Sequence, residues 1–564
     1  MQDLTKAQKA RIAIRVFKTT ADAVALRGFF RLTGRSGQQL EEALRVLSPE
    51  IYGTMNDPRI IELKGLEYVM DRLPRGIEAC SRIVLTAQEE LAGTSFEMIV
   101  PPKRRRTSYR VNEKEMCFIL TRGLSEVYDI LTHLTFMYNE AKKIRNQIRD
   151  VDGQPPAEWR KLEQDVARKD ELSGRELDQA IWNLSRVVGG TYQDTKATWE
   201  YMEKSRREKN ANTGLFEIIH QLGLLADTNR ENGICVHFSP ALRDMIGHHK
   251  YGEKWARSLK ARLAELGYLG RPLHVVSANM HSVMNLLYGY GAIYGDDGAK
   301  PPDDFYEIFH QIRDNQERVV AYARTNGLVE FHDDSGMYID CQIIDGARLC
   351  DMTLHPGLRV DADLCRAERP VILVMDYAFG AQAFEVMDEL LEPIGDENGG
   401  QRMPVASVSV MGKAGTLCGN KGDIMLATSH VFEGEPHNYT FTNQLSRTDF
   451  DDDVTVWEGP ILTVLGTSLQ NTDVLEKFQR TSWKAVGLEM EGGHYQMALS
   501  AAMVRGWISR DVNLCYAYYA SDNPLVSGQT LSSGSMGKEG IRPTYMITRA
   551  ILEKILNGFP NPEQ

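Results

Sequence analysis

AVGLEMEGGHY (Ala485–Tyr495) and LCYAYYASDNPL (Leu514–Leu525) are the two stretches on which the reading of this chain turns. The first runs an apolar segment into Glu489-Met490-Glu491 and then opens a helix through Gly492-Gly493. The second runs a β-rich strand straight into Ser521-Asp522. Each places a carboxylate where a strand ends, and in open α/β sheets ligands gather at the carboxyl ends of strands. Two carboxylates so placed divide the labour of a bond cleavage. One holds hydroxyl groups while positive charge builds, and the other protonates the departing group. Glu491 and Asp522 are the candidates for these roles.

Working outward, the sequence from about residue 255 alternates strands and helices. EKWARSLKARLAELGYLG is an amphipathic helix closed by Gly267 and Gly270, and LHVVSANMHSV is a buried strand entering a loop and a helix. FHDDSGMYIDCQIIDGARL predicts a hairpin, VILVMDY (Val371–Tyr377) a buried strand, AQAFEVMDELL a helix, and VASVSVMGKAG (Val405–Gly415) a strand ending on a Gly-rich turn. Gly295–Asp304 is an exposed loop. This rhythm implies an α/β fold with a mixed, mostly parallel sheet flanked by helices.

Residues 1 to about 225 predict helices instead. Leu120, Leu124, Val127, Leu131, Leu134 and Tyr138 recur at steps of four and three, a bundle-type seam in a helix from Asn112 to about Asp150. Glu62–Leu91 reads as a second helical segment, kinked or split at Pro74, and Asp152–Pro156 as a turn. An all-α domain over residues 1–255 and an α/β domain over 270–564 are therefore expected. The charge agrees. Residues 1–270 hold 43 Lys+Arg against 37 Asp+Glu and the remainder 22 against 40, within a net charge of −12. The basic cluster Lys103–Arg106 follows Pro101-Pro102 and so lies on a loop, either solvated or facing a phosphate or an acidic partner.

A net charge of −12 with no recognised motif disfavours nucleic-acid binding. The eight cysteines are scattered without a C-x-x-C pair, which suits reduced thiols and argues against zinc or a disulfide framework. His332-Asp333-Asp334 has no matching ligand cluster and reads as a surface turn, so no metal or cofactor is expected. No apolar run approaches 18 residues and the N-terminus lacks a signal-length apolar core, so a soluble, cytoplasmic protein with no membrane partner is expected.

From Val275 onward the chain resembles the purine nucleoside phosphorylase and nucleosidase superfamily, most closely the AMP nucleosidases. The segments that carry the likeness are VVSANMHSVMNLL, MDYAFGAQAFEVMDELL, VMGKAGTLCGNKGDIMLATSHV, VLGTSLQNTDVLEKF, GLEMEGG and ASDNPLVSG, in the superfamily's order. The likeness covers roughly 270–560, and the N-terminal half does not resemble those enzymes' regulatory domain. The whole chain is also similar to an uncharacterised bacterial family. The resemblance implies a nucleoside phosphorylase-like fold and a small-molecule purine nucleoside or nucleotide as ligand. Glu491 would accept hydrogen bonds from the ribose 2′- and 3′-hydroxyls, and Met490 would pack beneath the sugar. Asp522 would protonate purine N7, with Ser521 orienting it. Gly412, Ala414 and Gly415 would let the backbone approach the substrate, and Thr467, Asn279 and His281 would line the site. Glu489 would bind water or serve structure, and Asp423 would hold its loop.

Two departures bear on the reaction. Phosphorylases of this superfamily need arginines around their phosphate, and neither SANMHS nor DYAFGAQ supplies one. Lys413 stands where related sequences carry a small or uncharged residue, and either faces a phosphate or blocks one. The leading expectation is a nucleosidase that hydrolyses the base–ribose bond, AMP-like in type. The alternatives are a phosphate-dependent phosphorylase and a non-catalytic purine nucleotide sensor. Superfamily habit and the charge contrast between the halves imply a homo-oligomer.

Overall fold

The computed structural model describes residues 4–87, 91, 93–104, 106–148, 154–228, 233–295, 301–395, 400–526 and 536–560. It divides into two compact units, Met1–His248 with Ser468–Val474, and His249–Thr467 with Leu475–Gln564. Among the described residues no helix is long and apolar enough to cross a membrane.

The first unit is not all-α. Strands β1 (Phe29–Arg31), β2 (Arg82–Thr86), β3 (Glu97–Ile99), β4 (Ser108–Asn112), β5 (Glu115–Ile119) and β6 (Cys235–Phe238) form one sheet in the order β1-β6-β2-β5-β4-β3. β6, β2 and β5 are parallel, and the outer strands are antiparallel. The seam helix begins at Leu124, not Asn112, because Ser108–Ile119 pairs as a hairpin. Beyond Pro74 the expected second helix is replaced by a 3₁₀ turn and β2, and only Leu63–Met70 is helical. Residues 152 and 153 of the expected turn and 296–300 of the expected loop lie outside the described residues.

The helix Leu124–Gln147 is buried almost all round, which obliges its charged groups to find partners. Arg106 pairs with Glu126 at 3.3 Å and with Asp129, Arg104 reaches Asp129 at 3.4 Å, and Lys143 binds Glu140 at 2.8 Å. The cluster is therefore split: Arg106 is buried and Arg104 half-buried on acidic partners, Lys103 is exposed and reaches Asp71 at 3.2 Å, and Arg105 lies outside the described residues. Ser468–Val474 is also bound into this unit. Asn471 Nδ2 donates to the Leu47 carbonyl at 2.9 Å, and Glu50 N donates to the Gln470 carbonyl at 3.1 Å.

In the second unit, side-chain alternation along each strand sorts residues into two cores. On β10 (Val371–Met375), Val371, Leu373 and Met375 enter one core while Ile372 and Val374 enter the other. Both faces are thus covered, as a near-continuous apolar strand predicts. One core lies under the helices Lys250–Glu265, Gln382–Leu391 and Gly492–Arg505. The other lies under Met280–Tyr294, Ile308–Asp314, Gln316–Thr325 and Ile541–Asn557.

The remaining strands of this unit are β7 (Leu273–Ser277), β8 (Leu328–Phe331), β9 (Cys341–Asp345), β11 (Val405–Thr416), β12 (Ile424–Phe432), β13 (Asn438–Thr440), β14 (Val456–Thr463), β15 (Gly487–Glu489) and β16 (Asn513–Asp522). β10, β7, β11 and β16 run parallel as consecutive neighbours. β8 and β9 form the expected hairpin. Antiparallel partners are as numerous as parallel ones here, so the sheet is mixed without being mostly parallel. The twelve-residue β11 closes the system, because β11, β16, β12, β14 and β15 each pair with the next and β15 returns to β11. Closure removes exposed strand edges and brings several strand ends to one rim.

Candidate functional site

β7 and β10 end at Ser277 and Met375, in register with Val410 of β11, while β11 and β16 run on together to Thr416 and Asp522. Gly412, Ala414 and Gly415 lie within β11 and not in a turn, so the expected Gly-rich turn is strand. In register, Gly415 stands opposite Leu488 of β15 on one side and Asp522 of β16 on the other. Two interstrand spacings, about 10 Å, then separate Leu488 from Asp522, and Glu491 follows three residues after Leu488, beyond the end of β15. The two carboxylate-bearing segments thus flank β11, with side-chain-free Gly415 between Leu488 and Asp522.

A β-bulge sets Asp522. Ala414 pairs with Ala520 and Gly415 with Asp522, leaving Ser521 as the extra residue. Bulges re-aim side chains and break the alternation of the strand. Here the Ser521 hydroxyl bonds to Asp522 Oδ1 and to the Ala414 carbonyl at 3.2 Å. Asp522 is 7% exposed. Of ASDNPLVSG, Ser527 and Gly528 lie outside the described residues.

Glu491 ends the other segment as N-cap of the helix Gly492–Arg505. Its Oε1 accepts from Gly380 N at 2.9 Å and its Oε2 from Met490 N at 3.3 Å. Gly380 adopts φ +56°, in the left-handed region, so the turn after β10 can present that N–H. Met490 is buried beside it. Glu489 holds the turn itself: it accepts from Thr463 Oγ1 at 2.6 Å and from the N–H groups of Glu491 and Gly492. Burial raises its pKa. Glu489 thus ties Thr463 of β14 to the N–H groups that open the helix Gly492–Arg505. Gly492 admits no side chain, since a Cβ there would sit 2.2 Å from the Tyr518 hydroxyl and 2.4 Å from His430. His430, pushed down to about 3 by burial, is neutral and lies 3.6 Å from Glu489.

Asn279 caps the helix Met280–Tyr294, its side chain accepting from His281 N at 3.0 Å. Asn279 and His281 line a cavity of about 640 Å³ with Tyr377, Lys413 and Tyr519. Lys413 and Tyr519 are register neighbours on β11 and β16. Asp423 holds its loop as expected, accepting from Trp457 Nε1 at 3.0 Å and Asn420 N at 2.9 Å. Thr467 is buried in the segment after β14; that strand ends at Thr463 and does not run through the Gly-Thr pair. The His332-Asp333-Asp334 stretch is a turn in which Asp333 accepts from Ser335 N and Tyr338 N. Among the described residues no cluster of His, Cys, Asp and Glu suits a metal. Sequence reasoning missed Tyr377, Tyr519 and Arg313 of the cavity wall. The first two sit beside quoted motifs, but Arg313 lies in a helical stretch with no motif to mark it.

Among solved structures, the chain is similar to the 5′-methylthioadenosine/S-adenosyl homocysteine nucleosidase of Campylobacter jejuni at 11% identity and TM-score 0.29, covering 51% of this chain and 100% of that one. Futalosine hydrolase of Helicobacter pylori strain 26695 aligns at 12% identity and TM-score 0.29, over 51% and 98%. Uridine phosphorylase from Schistosoma mansoni aligns at 11% and TM-score 0.30, over 55% and 89%. Likeness at this level assigns no activity. No curated protein matches the sequence. The family model of unknown function DUF6909 matches residues 38–297 and 304–557, and the chain belongs to that family.

Proposed function

We propose that the second unit hydrolyses the bond between base and ribose in a purine nucleoside or nucleotide, AMP-like in type. The observation that carries this reading is that the two carboxylate-bearing segments flank β11, Gly415 standing between Leu488, three residues before Glu491, and Asp522, with each carboxylate held by its own neighbours. In the proposed step the C1′–N9 bond breaks and its electron pair leaves with the base. Asp522 delivers a proton to N7, which turns the purine into a neutral leaving group. Glu491 accepts hydrogen bonds from the 2′- and 3′-hydroxyls, and these strengthen as positive charge grows on the sugar. Water then adds to C1′ and gives up a proton to solvent, and Asp522 regains one from solvent for the next turnover. Gly380 N–H and Met490 N–H keep the Glu491 carboxylate in place throughout, so little reorganisation is needed as charge develops.

Incubating the purified chain with AMP, adenosine and methylthioadenosine, with and without phosphate, and following free base by chromatography tests the reading. Base released without phosphate supports hydrolysis. No base from any substrate overturns it, and release that strictly requires phosphate makes the protein a phosphorylase.

A further inference from the structure

We propose that the outer face of the helices Lys6–Arg27 and Arg35–Leu47 is a docking groove for an amphipathic helix of a partner protein, apolar along one stripe and acidic on its flanks. The helix Lys6–Arg27 carries two seams. Ala10, Ile14, Phe17, Ala21 and Val24 recur at steps of four and three and are buried in the first unit. Ile12, Val16, Thr19, Ala23 and Leu26 keep the same spacing on the opposite side, and all five are exposed. Thirteen large hydrophobic side chains are exposed among the described residues, and five of them, Leu4, Ile12, Val16, Leu26 and Val46, fall within residues 4–46. Clustered exposure of this kind marks an interaction surface, whereas scattered exposure does not.

Leu4, Ile12, Val16 and Val46 line a groove of about 290 Å³ between the two helices. That volume is at the lower limit of small-molecule sites and suits a few aliphatic side chains. The sides of the groove run from Lys9 to Val16 and from Gln39 to Val46, a rise of about 10 Å each. Anchors at i, i+4 and i+7 of a docked helix span the same length. The surrounding charge selects the partner. The exposed charged residues of the two helices are Lys6, Lys9, Arg15, Arg27, Arg35 and Arg45 against Glu42 alone. Asp22 and Glu41 are half-buried and already paired, with Lys18 at 3.2 Å and with Lys142. A second copy would set this basic face against itself, whereas acidic flanks on a partner complement it. A bilayer is the other acidic, apolar surface, but this face is grooved and presents no exposed aromatic side chain to sit among headgroups. The groove does not depend on the glycosidase reading.

Fluorescence anisotropy on the full chain tests the docking, with a labelled synthetic helix of about eighteen residues that carries Leu at i, i+4, i+7 and i+11 and Glu on both flanks. Its comparator carries Lys in place of Glu. The acidic peptide should bind with a micromolar Kd and the basic one at least about tenfold more weakly, the gap narrowing as salt screens the flanks. Ile12→Asp with Val16→Asp should weaken the acidic peptide at least about tenfold. Val504→Asp, a similar change at an 81% exposed position of the second unit, should leave it unaltered. Lys9→Gln with Arg15→Gln keeps the apolar anchors and should reduce the preference for Glu over Lys flanks, which a loss of folding alone would not do. No binding of the acidic peptide, equal binding of the two peptides, or binding untouched by both double variants overturns the proposal. So does capture of the wild type on phosphatidylserine–phosphatidylcholine vesicles that Ile12→Asp with Val16→Asp abolishes, since that result assigns the face to a membrane.

Discussion

Replacing Gly492 by Ala is a decisive perturbation of the carboxylate turn. The added Cβ would lie 2.2 Å from the Tyr518 hydroxyl and 2.4 Å from His430, whereas ordinary contact begins at 3.4 Å. The overlap is thus about 1 Å, and neither neighbour has room to yield: Tyr518 is 3% exposed and His430 is fully buried. Overpacking of this kind costs about 1–3 kcal/mol. Relief must come from the start of the helix Gly492–Arg505, whose N-cap is Glu491. A displacement near 1 Å at a positioned group costs on the order of 100-fold in rate. Gly492→Ala should therefore lower urea-measured stability by about 1–3 kcal/mol and kcat/KM by about 100-fold. Gly412→Ala is the control, because its Cβ would meet only Tyr377, at an ordinary 3.7 Å. It should leave stability within about 0.5 kcal/mol of wild type while weakening ligand binding, if the backbone there faces substrate. Wild-type stability and turnover in Gly492→Ala would refute the account of the turn.

Asp522→Asn should still bind ligand but lose about 10²–10⁴ in turnover, since the amide keeps the shape without a proton to give; Glu491→Gln should also slow turnover, and near-normal steady-state rates in both would remove the site assignment. Arg106→Ala, which leaves buried Asp129 to Arg104 and Glu126 to the N–H groups of Thr121 and Arg122, should destabilise the first unit by about 1.5–3 kcal/mol in chemical denaturation, and a neutral effect would mean those remaining partners suffice. Burial raises the Glu385 carboxyl from 4.5 to about 7. Its contribution to stability is full below the unfolded value near 4.5 and lost as pH rises through about 7, so Glu385→Gln should flatten the stability–pH profile over that window, and an unchanged slope would count against it. Light scattering should give a mass at least twice 63.6 kDa; a monomer at micromolar concentration would exclude the homo-oligomer.

Where one physical signal dominated, the sequence was readable. The run VILVM has no polar face, so it had to be a strand covered on both sides. The first unit misled because its strands are three to five residues long and weakly patterned, while the helical seam beside them is strong. Its helix Leu124–Gln147 supplied the period, and the hairpin at Ser108–Ile119 was absorbed into it. At the site, the residue types of Glu491 and Asp522 were legible, but that their two segments flank β11 depends on strand order, which no local pattern encodes. The bulge at Ser521 is equally silent, since a one-residue mismatch belongs to the pairing of two strands. Arg313 reaches the cavity only because separate helices converge there.

The excursion of Ser468–Val474 into the first unit has a consequence for biosynthesis. That unit cannot be finished when His248 leaves the ribosome, because the carbonyl that receives Glu50 N and the amide that caps Leu47 are encoded far downstream. At about 5–20 residues per second the wait is on the order of tens of seconds. Through that interval the nascent N-terminal half has all six strands of its sheet but a vacant place beside Leu47 and Glu50. A gene truncated after His248 would make the vacancy permanent.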